Sequence, residues 1–369
     1  MNILIIGNGF DIAHNLKTTY KDFLGYWEKM RPRAYLENWP GAPPHWKKEH
    51  INVWFNYFLE KQNTLGDTWI DFETEIYNVI TKIRERGLFP QHSFLSKMNI
   101  NFLEAIHNNE AHYLTKLEQT MLGYYENCTS PERIEEYAEY KYCNNPTMYI
   151  FKTYKGLINF LYDQLREFTK TFEVYLTKEL GLAENIDDLG QRLRYRLPKD
   201  TKWDVISFNY TSTFSQLYPH AVNNPIVYVH GQATNNKGCA LVLGTKSFDR
   251  NSTDKNLPFD FNVFQKHNQR HKYGTIEAYQ DLLKRIKNSE DITLGVIGHS
   301  LDETDHNILK HIFTANENTQ INIYYHDNKA QEKLIKNITE IIGEAEVMAK
   351  VRLIDQHEEK RGLLRKSQQ

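Results

Sequence analysis

Short, mainly apolar runs occur at Ile3 to Ile6, Val205-Ile206, Ile226 to Val229, Leu241 to Leu243, Ile292 to Ile297 and Ile321 to Tyr325. Runs of this length without polar alternation are what strands buried on both faces require, so each predicts a strand of a mainly parallel sheet. One run precedes residue 10 and the others follow residue 200. Between them the period becomes helical. Trp69, Phe72, Ile76, Val79, Ile80 and Ile83 fall on one face, with a Thr68-x-x-Asp71 capping signal before them and Gly87 after them. Tyr154, Leu157, Ile158, Leu161, Leu165, Phe168, Phe172 and Tyr175 predict a longer helix from about Phe151 to Leu180. Pro32 to Pro44, which includes Gly41, and Lys246 to Asn256 predict loops.

This patterning predicts an α/β protein with a Rossmann-like sheet flanked by helices. Its core is expected from residues 1–30 and 200–369, with a large all-helical insertion across 31–199. With 369 residues, 40% apolar and 25% charged, the chain can bury a substantial core. A formal net charge of −2 gives no global pull toward nucleic acid or an anionic membrane. Cys128, Cys143 and Cys239 are too few and too scattered for a disulfide framework, and no Cys-x-x-Cys pair suggests zinc. No metal is therefore expected. The first apolar run ends after four residues without a basic leader, and no other stretch is long enough to span a membrane. A reducing, cytoplasmic setting is the expectation.

Candidate chemistry gathers where these runs end. Gly7-Asn8-Gly9-Phe10-Asp11 follows the first strand, and two glycines there would let the backbone approach a phosphate while the next helix offers free N–H groups. Ile12 stands where a dinucleotide fingerprint has its third small residue, and the alternative reading is a tight turn with Asp11 as N-cap. An Asp beside a phosphate is repulsive, so Asp11 is read as facing a ribose or a water. Asn209, in Phe208-Asn209-Tyr210-Thr211, ends a strand and would hold a ribose hydroxyl or a water, or would cap the following helix. His230-Gly231 ends another strand with a group that titrates near neutrality. Gly298-His299-Ser300-Leu301-Asp302-Glu303-Thr304-Asp305 is a further strand-to-helix turn, where Ser300 or Asp302 could cap. Four such ends on one sheet edge would converge on one crevice. Asp71 reads as a cap, whereas Glu73 sits within the apolar stripe of its helix and would line the crevice or find a structural partner.

Taken together, Gly-Asn-Gly-Phe-Asp-Ile-Ala-His from Gly7, Tyr20-x-Asp22-Phe23, Trp69-x-Asp71-x-Glu73, Phe208 to Thr211, His230-Gly231 and Gly298-His299-Ser300-Leu301-x-x-x-Asp305 resemble the AbiH family of phage abortive-infection proteins. Asn15-Leu16-Lys17 departs from the Gly-Leu-Pro common in such openings, which concerns a turn more than a reactive group. The block order also resembles sirtuin-type NAD-binding folds, without their four-cysteine zinc module and with Asp11 where a Ser is usual. The resemblance implies an antiphage effector that binds NAD and cleaves its nicotinamide-ribose bond. Asn209, His230 and Asp11 would be the catalytic group. Gly7, Asn8, Gly9, Phe10, Thr211, Gly298, His299, Ser300 and Asp305 would hold the nucleotide. It further implies a phage-derived trigger or partner protein, and leaves self-association into a homo-oligomer open. Two other readings stand beside it: a nucleotide-gated sensor or scaffold without catalysis, and an effector acting on nucleic acid through Lys47, Lys48, Trp54, Tyr57, Tyr124 and Tyr125.

Overall fold

The computed structural model describes residues 1–36, 52–65, 71–85, 140–142, 149–151, 154–179, 201–234, 240–248 and 259–356. In chain order its first elements are β1 (Asn2–Ile6), α1 (Asn8–Ala13), α2 (Tyr20–Leu36), α3 (Val53–Leu65), α4 (Phe72–Glu85), β2 (Tyr140–Tyr142) and β3 (Tyr149–Phe151). Then come α5 (Tyr154–Val174, continued by a π-helical turn Tyr175–Glu179), β4 (Asp204–Ser207), α6 (Thr213–Leu217), β5 (Val227–Tyr228), α7 (Lys266–Tyr273) and α8 (Ile276–Lys287). The last are β6 (Ile292–Ile297), α9 (His306–Phe313), β7 (Thr319–Tyr325), α10 (Asn328–Ile342), α11 (Glu344–Lys350) and β8 (Val351–Asp355). Two compact units emerge. One comprises Met1–Thr19, Glu173–Lys246 and Lys266–Gln369, the other Tyr20–Phe172 and Ser247–Gln265.

The first unit is built on a six-stranded sheet in the order β5-β4-β1-β6-β7-β8. Every pairing in it is parallel. Because successive side chains of a strand point to opposite faces, β1 feeds two cores at once. Ile3 and Ile5 pack with Ile206, Leu294 and Ile323 against Leu282 and Ile286 of α8, Leu309 and Ile312 of α9 and Ile338 of α10. Leu4 and Ile6 pack with Val205 and Ile297 against Phe10, Phe214 and Tyr218. A sheet covered on both faces needs apolar residues at consecutive positions, which is why these strands read as mainly apolar runs. The strand order runs outward from β1 first through β4 and β5, then back across it to β6, β7 and β8. The strand order thus reverses at β1, the position at which open α/β sheets bind ligands.

Two strand expectations change. Leu241 to Leu243 is buried but is not a strand. Its backbone is satisfied by side chains and a loop: the Gln269 amide exchanges both bonds with Leu243, at 3.0 Å each, and Val242 N–H donates to the carbonyl of His230. The apolar run there records burial, not pairing. Conversely, β8 has no continuous run, because it is an edge strand paired only with β7 and carries Arg352 on its exposed side.

The second unit is described by helices and one short hairpin, in which β2 and β3 pair antiparallel. That hairpin corrects the expectation of an all-helical segment across 31–199: three-residue strands fall below the window in which a period shows. Residues 32–36, read as the start of a loop, continue α2, and 37–44 lie outside the described residues. Likewise 246–248 are irregular, as expected for that loop, while 249–256 are not described. The helix predicted from Phe151 to Leu180 is α5 with its π turn, covering Tyr154 to Glu179. Phe23, Phe55, Phe58, Phe72, Phe168 and Phe172 form the buried aromatic core of this unit, with Phe58 stacked on Phe72 at 4.3 Å. Trp54 and Tyr57 are core residues too, and the Trp54 indole donates to the carbonyl of Leu161. Asp71 caps α4, accepting from Glu73 N–H at 3.0 Å. Glu73 is buried in the first turn of α4 in this unit. Thr68, Trp69 and Gly87 lie outside the described residues.

Candidate functional site

The turn after β1 and the turn after β6 meet backbone to backbone. Gly7 N–H donates to Ile297 and Gly9 N–H to Gly298, at 3.0 and 2.8 Å. A Cβ on Gly7 would stand 2.6 Å from Cα of His299, one on Gly9 2.8 Å from the Gly298 carbonyl, and one on Gly298 2.2 Å from N of Phe10. Gly298 also takes a left-handed φ of 65°. The N–H groups of Gly7 and Gly9 are thus engaged in this junction, where the close backbone approach is to the turn after β6. Asn8 is engaged as well, since its carboxamide bonds Thr18 through both side-chain atoms. Asn15, at the departure from Gly-Leu-Pro, has φ 62°, a conformation glycine takes freely and Asn tolerates.

The remaining candidates fall into two clusters. In the first, Asp11 on α1 is buried and accepts a 2.6 Å hydrogen bond on Oδ2 from the Thr211 hydroxyl, which receives one of 3.0 Å from Thr213. Among the described residues Asp11 Oδ1 has no hydrogen-bond partner, and neither does either amide atom of Asn209, which is 4% exposed. Asn209 lies near enough to lower the affinity of the Asp11 carboxyl for its proton, yet the contact lacks hydrogen-bond geometry. Burial dominates and lifts Asp11 from 3.8 to about 6, opposed by Thr211, Thr213 and Asn209. Both bland alternatives fail here: Gly7 is the N-cap of α1 and Ser212 that of α6. Tyr228, partly buried on β5, faces the same carboxylate, and burial raises its phenol.

The second cluster surrounds Asp305. Its Oδ1 lies 3.2 Å from His230 Nε2, 3.0 Å from Lys266 Nζ and 3.5 Å from Arg270 Nη2. Its Oδ2 lies 3.8 Å from His299 Nε2. Asp305 is the residue before α9 but makes no side-chain cap, and the Ser300 hydroxyl donates to Asp302 rather than to a helix end. Capping is thus not what these residues do. Arginine only donates, so His230 Nδ1, 3.5 Å from Arg270 Nη2, accepts, and Nε2 carries the proton toward Asp305. Burial, with Lys266 next in effect, pushes the His230 pKa down to about 3, so the ring is neutral. His299 accepts from Leu301 N–H on Nδ1 at 2.9 Å, and burial lowers it also. Lys266 holds Asp305 well below the usual carboxylate range against the cost of burial. Phe208 bridges the histidines, its ring 5.5 Å from His230 and 4.3 Å from His299. The three expected catalytic residues are therefore divided: Asn209 with Asp11, His230 with Asp305. Thr213, Tyr228, Lys266 and Arg270 were not anticipated, although Lys266 and Arg270 at i and i+4 share one helix face.

A family model described as bacteriophage abortive infection AbiH matches residues 3–327. The chain belongs to the AbiH family. That span takes in β1 through β7 and both clusters, so the AbiH match covers the whole candidate site. A search of curated proteins finds no match. Membership places the chain in phage abortive infection. No described helix is long and apolar enough to cross a membrane, and among the described residues no group of three or more His, Cys, Asp or Glu could hold a metal ion.

Proposed function

We propose that this AbiH chain is an antiphage effector whose first unit is a Rossmann-type, sirtuin-like fold that binds NAD and hydrolyses its nicotinamide-ribose bond. The observation that carries this reading is the pair of side chains that follow β1 and β4: Asp11 Oδ1 and both amide atoms of Asn209 are buried without hydrogen-bond partners among the described residues. Leaving three buried polar atoms unbonded costs about 1–3 kcal/mol each, a cost a ligand bearing hydroxyls removes. A ribose diol offers donors and acceptors to match one carboxylate oxygen and one carboxamide. The strand order of the sheet, equivalent to 3-2-1-4-5-6, is the order of dinucleotide-binding folds and supports the same ligand class. Asn209 would orient ribose and water. Thr211 would hold Asp11, and His299, Ser300 and Asp305 would frame the nucleotide on the β6 side, with Phe10 packed in the core below the turn. The AbiH effector has to stay silent until infection, so a phage component is expected to release it.

Purified full-length chain incubated with NAD, with and without lysate of infected cells, tests the proposal. Nicotinamide release that is lost in Asn209→Ala is expected. No release in any condition, or undiminished release in Asn209→Ala, would exclude cleavage. A second reading, nucleotide sensing without chemistry, draws on His230, whose ring nitrogens are both engaged by Asp305 and Arg270. Calorimetric binding of NAD without product would establish that reading instead. The nucleic-acid reading loses Trp54 and Tyr57 to the core.

A further inference from the structure

The buried hydroxyls beside Asp11 carry a direction. Thr213 Oγ1 donates to Thr211 Oγ1 at 3.0 Å, and Thr211 Oγ1 donates to Asp11 Oδ2 at 2.6 Å. A hydroxyl has one proton. An ionised Asp11 can only accept, so Thr211 must send its one proton to Oδ2 and take its own hydrogen bond from Thr213. A proton arriving at that carboxylate meets Oδ1 free, the oxygen with no hydrogen-bond partner among the described residues, while Oδ2 is already occupied by the Thr211 hydroxyl. All three side chains are buried, Asp11 and Thr213 to 1% exposure.

We infer that Thr213 and Thr211 aim the exchangeable proton of Asp11 onto Oδ1, and that Asp11, rather than His230, takes the proton from the attacking water. This rests on the NAD-hydrolysing reading above. In the step, the water oxygen bonds to C1 of the ribose as the bond from C1 to the pyridinium nitrogen breaks. The bonding pair leaves on nicotinamide, which departs neutral. One water proton passes to Asp11 Oδ1 and from there to solvent, so NAD⁺ and water give ADP-ribose, nicotinamide and H⁺. His230 is a positioning residue in this scheme. Its one lone pair faces the Arg270 guanidinium, and protonating it would set a charge against Lys266 and Arg270. Around Asp11 the facing groups are Thr211 and Asn209 after β4, Thr213 on α6 and the neutral phenol of Tyr228 on β5, and burial with these neighbours places Asp11 at about 6. Thr213 touches no reacting atom and acts through Thr211.

The test follows the Asp11 carboxyl carbon by NMR in the full chain with labelled aspartate, assigned by its loss in Asp11→Asn. Wild type is expected to titrate near 6. Thr211→Val should move the midpoint up by about one to two pH units, the equivalent of a hydrogen bond to a charged acceptor. Thr213→Val should move it up by a few tenths, as for a cooperative neighbour, and Thr213→Ser should restore it. Nicotinamide release should rise with pH through the same midpoint, and His230→Gln should keep that midpoint. A wild-type midpoint near 4, or one unmoved by both valine variants, overturns the assignment and needs no variant beyond those that fold. If the titration behaves as expected and no nicotinamide appears, the proton site stands and the NAD-cleaving reading falls.

Discussion

Replacing Asp11 by Asn should stabilise the protein, and increasingly so as pH rises. Burial lifts this carboxyl from 3.8 to about 6, which means that the folded state resists its ionisation. A displacement of that size corresponds to about 3 kcal/mol, at roughly 1.4 kcal/mol per pH unit. Because the folded value is raised, this contribution is fully present below 3.8 and lost as pH climbs past 6. Above that range the wild type folds around a buried anion held by one hydroxyl. Asn never ionises. Its carbonyl can still accept from Thr211, and its amide takes the place of Oδ1 with little change of shape. The two proteins should therefore have similar melting points at pH 4, and at pH 7.5 Asp11→Asn should gain about 3 kcal/mol, a rise of several degrees. Thermal unfolding followed by circular dichroism across that range measures it. Equal melting points at pH 7.5, or an offset that does not change with pH, would refute the claim that burial governs Asp11.

Three other outcomes follow from the same geometry. Asn209→Leu, nearly isosteric, should stabilise the fold by about 1–3 kcal/mol for each of the two unbonded amide atoms it removes, and a loss of stability would show that those atoms have partners in solution. Gly298→Ala should cost about 3 kcal/mol or more and yield little folded protein, since its methyl would meet N of Phe10 at 2.2 Å with φ at 65°; normal expression and melting would contradict the junction. Asp305→Asn should lose about 3–5 kcal/mol at neutral pH by leaving Lys266 and Arg270 buried beside a neutral amide. The folded pKa of Asp305 is depressed, so its contribution is present above the ordinary carboxylate range and lost as pH falls through the folded value, and the penalty measured by denaturant titration should shrink in acid.

Strands β1, β4 and β5 were legible as unbroken apolar runs, and β6 and β7 as runs broken at Thr293 and Asn322, where one face is less buried. The same rule misread Leu241 to Leu243, where a glutamine amide replaces a neighbouring strand, and overlooked β8, where one side faces solvent. Asp11 and Asn209 were legible because each follows a buried strand directly. Their shared environment was not, since 198 residues separate them in sequence and the parallel pairing of β1 with β4 brings them together. Lys266 and Arg270 escaped notice for a related reason. The helix that carries them, Lys-His-Asn-Gln-Arg-His-Lys-Tyr, is polar all round and reads as solvated, and only the fold sets one of its faces against Asp305. The two glycines of the opening turn were recognised as special, but close backbone approach has the same signature whether the neighbour is a phosphate or a second turn.

The central claim is that the unbonded atoms of Asn209 and Asp11 belong to a nucleotide site. Calorimetric titration of NAD into wild type and into Asn209→Leu tests it most directly. The account predicts a saturable heat for wild type and none for a folded Asn209→Leu at least as stable as wild type; equal binding by both, or binding by neither, would contradict it.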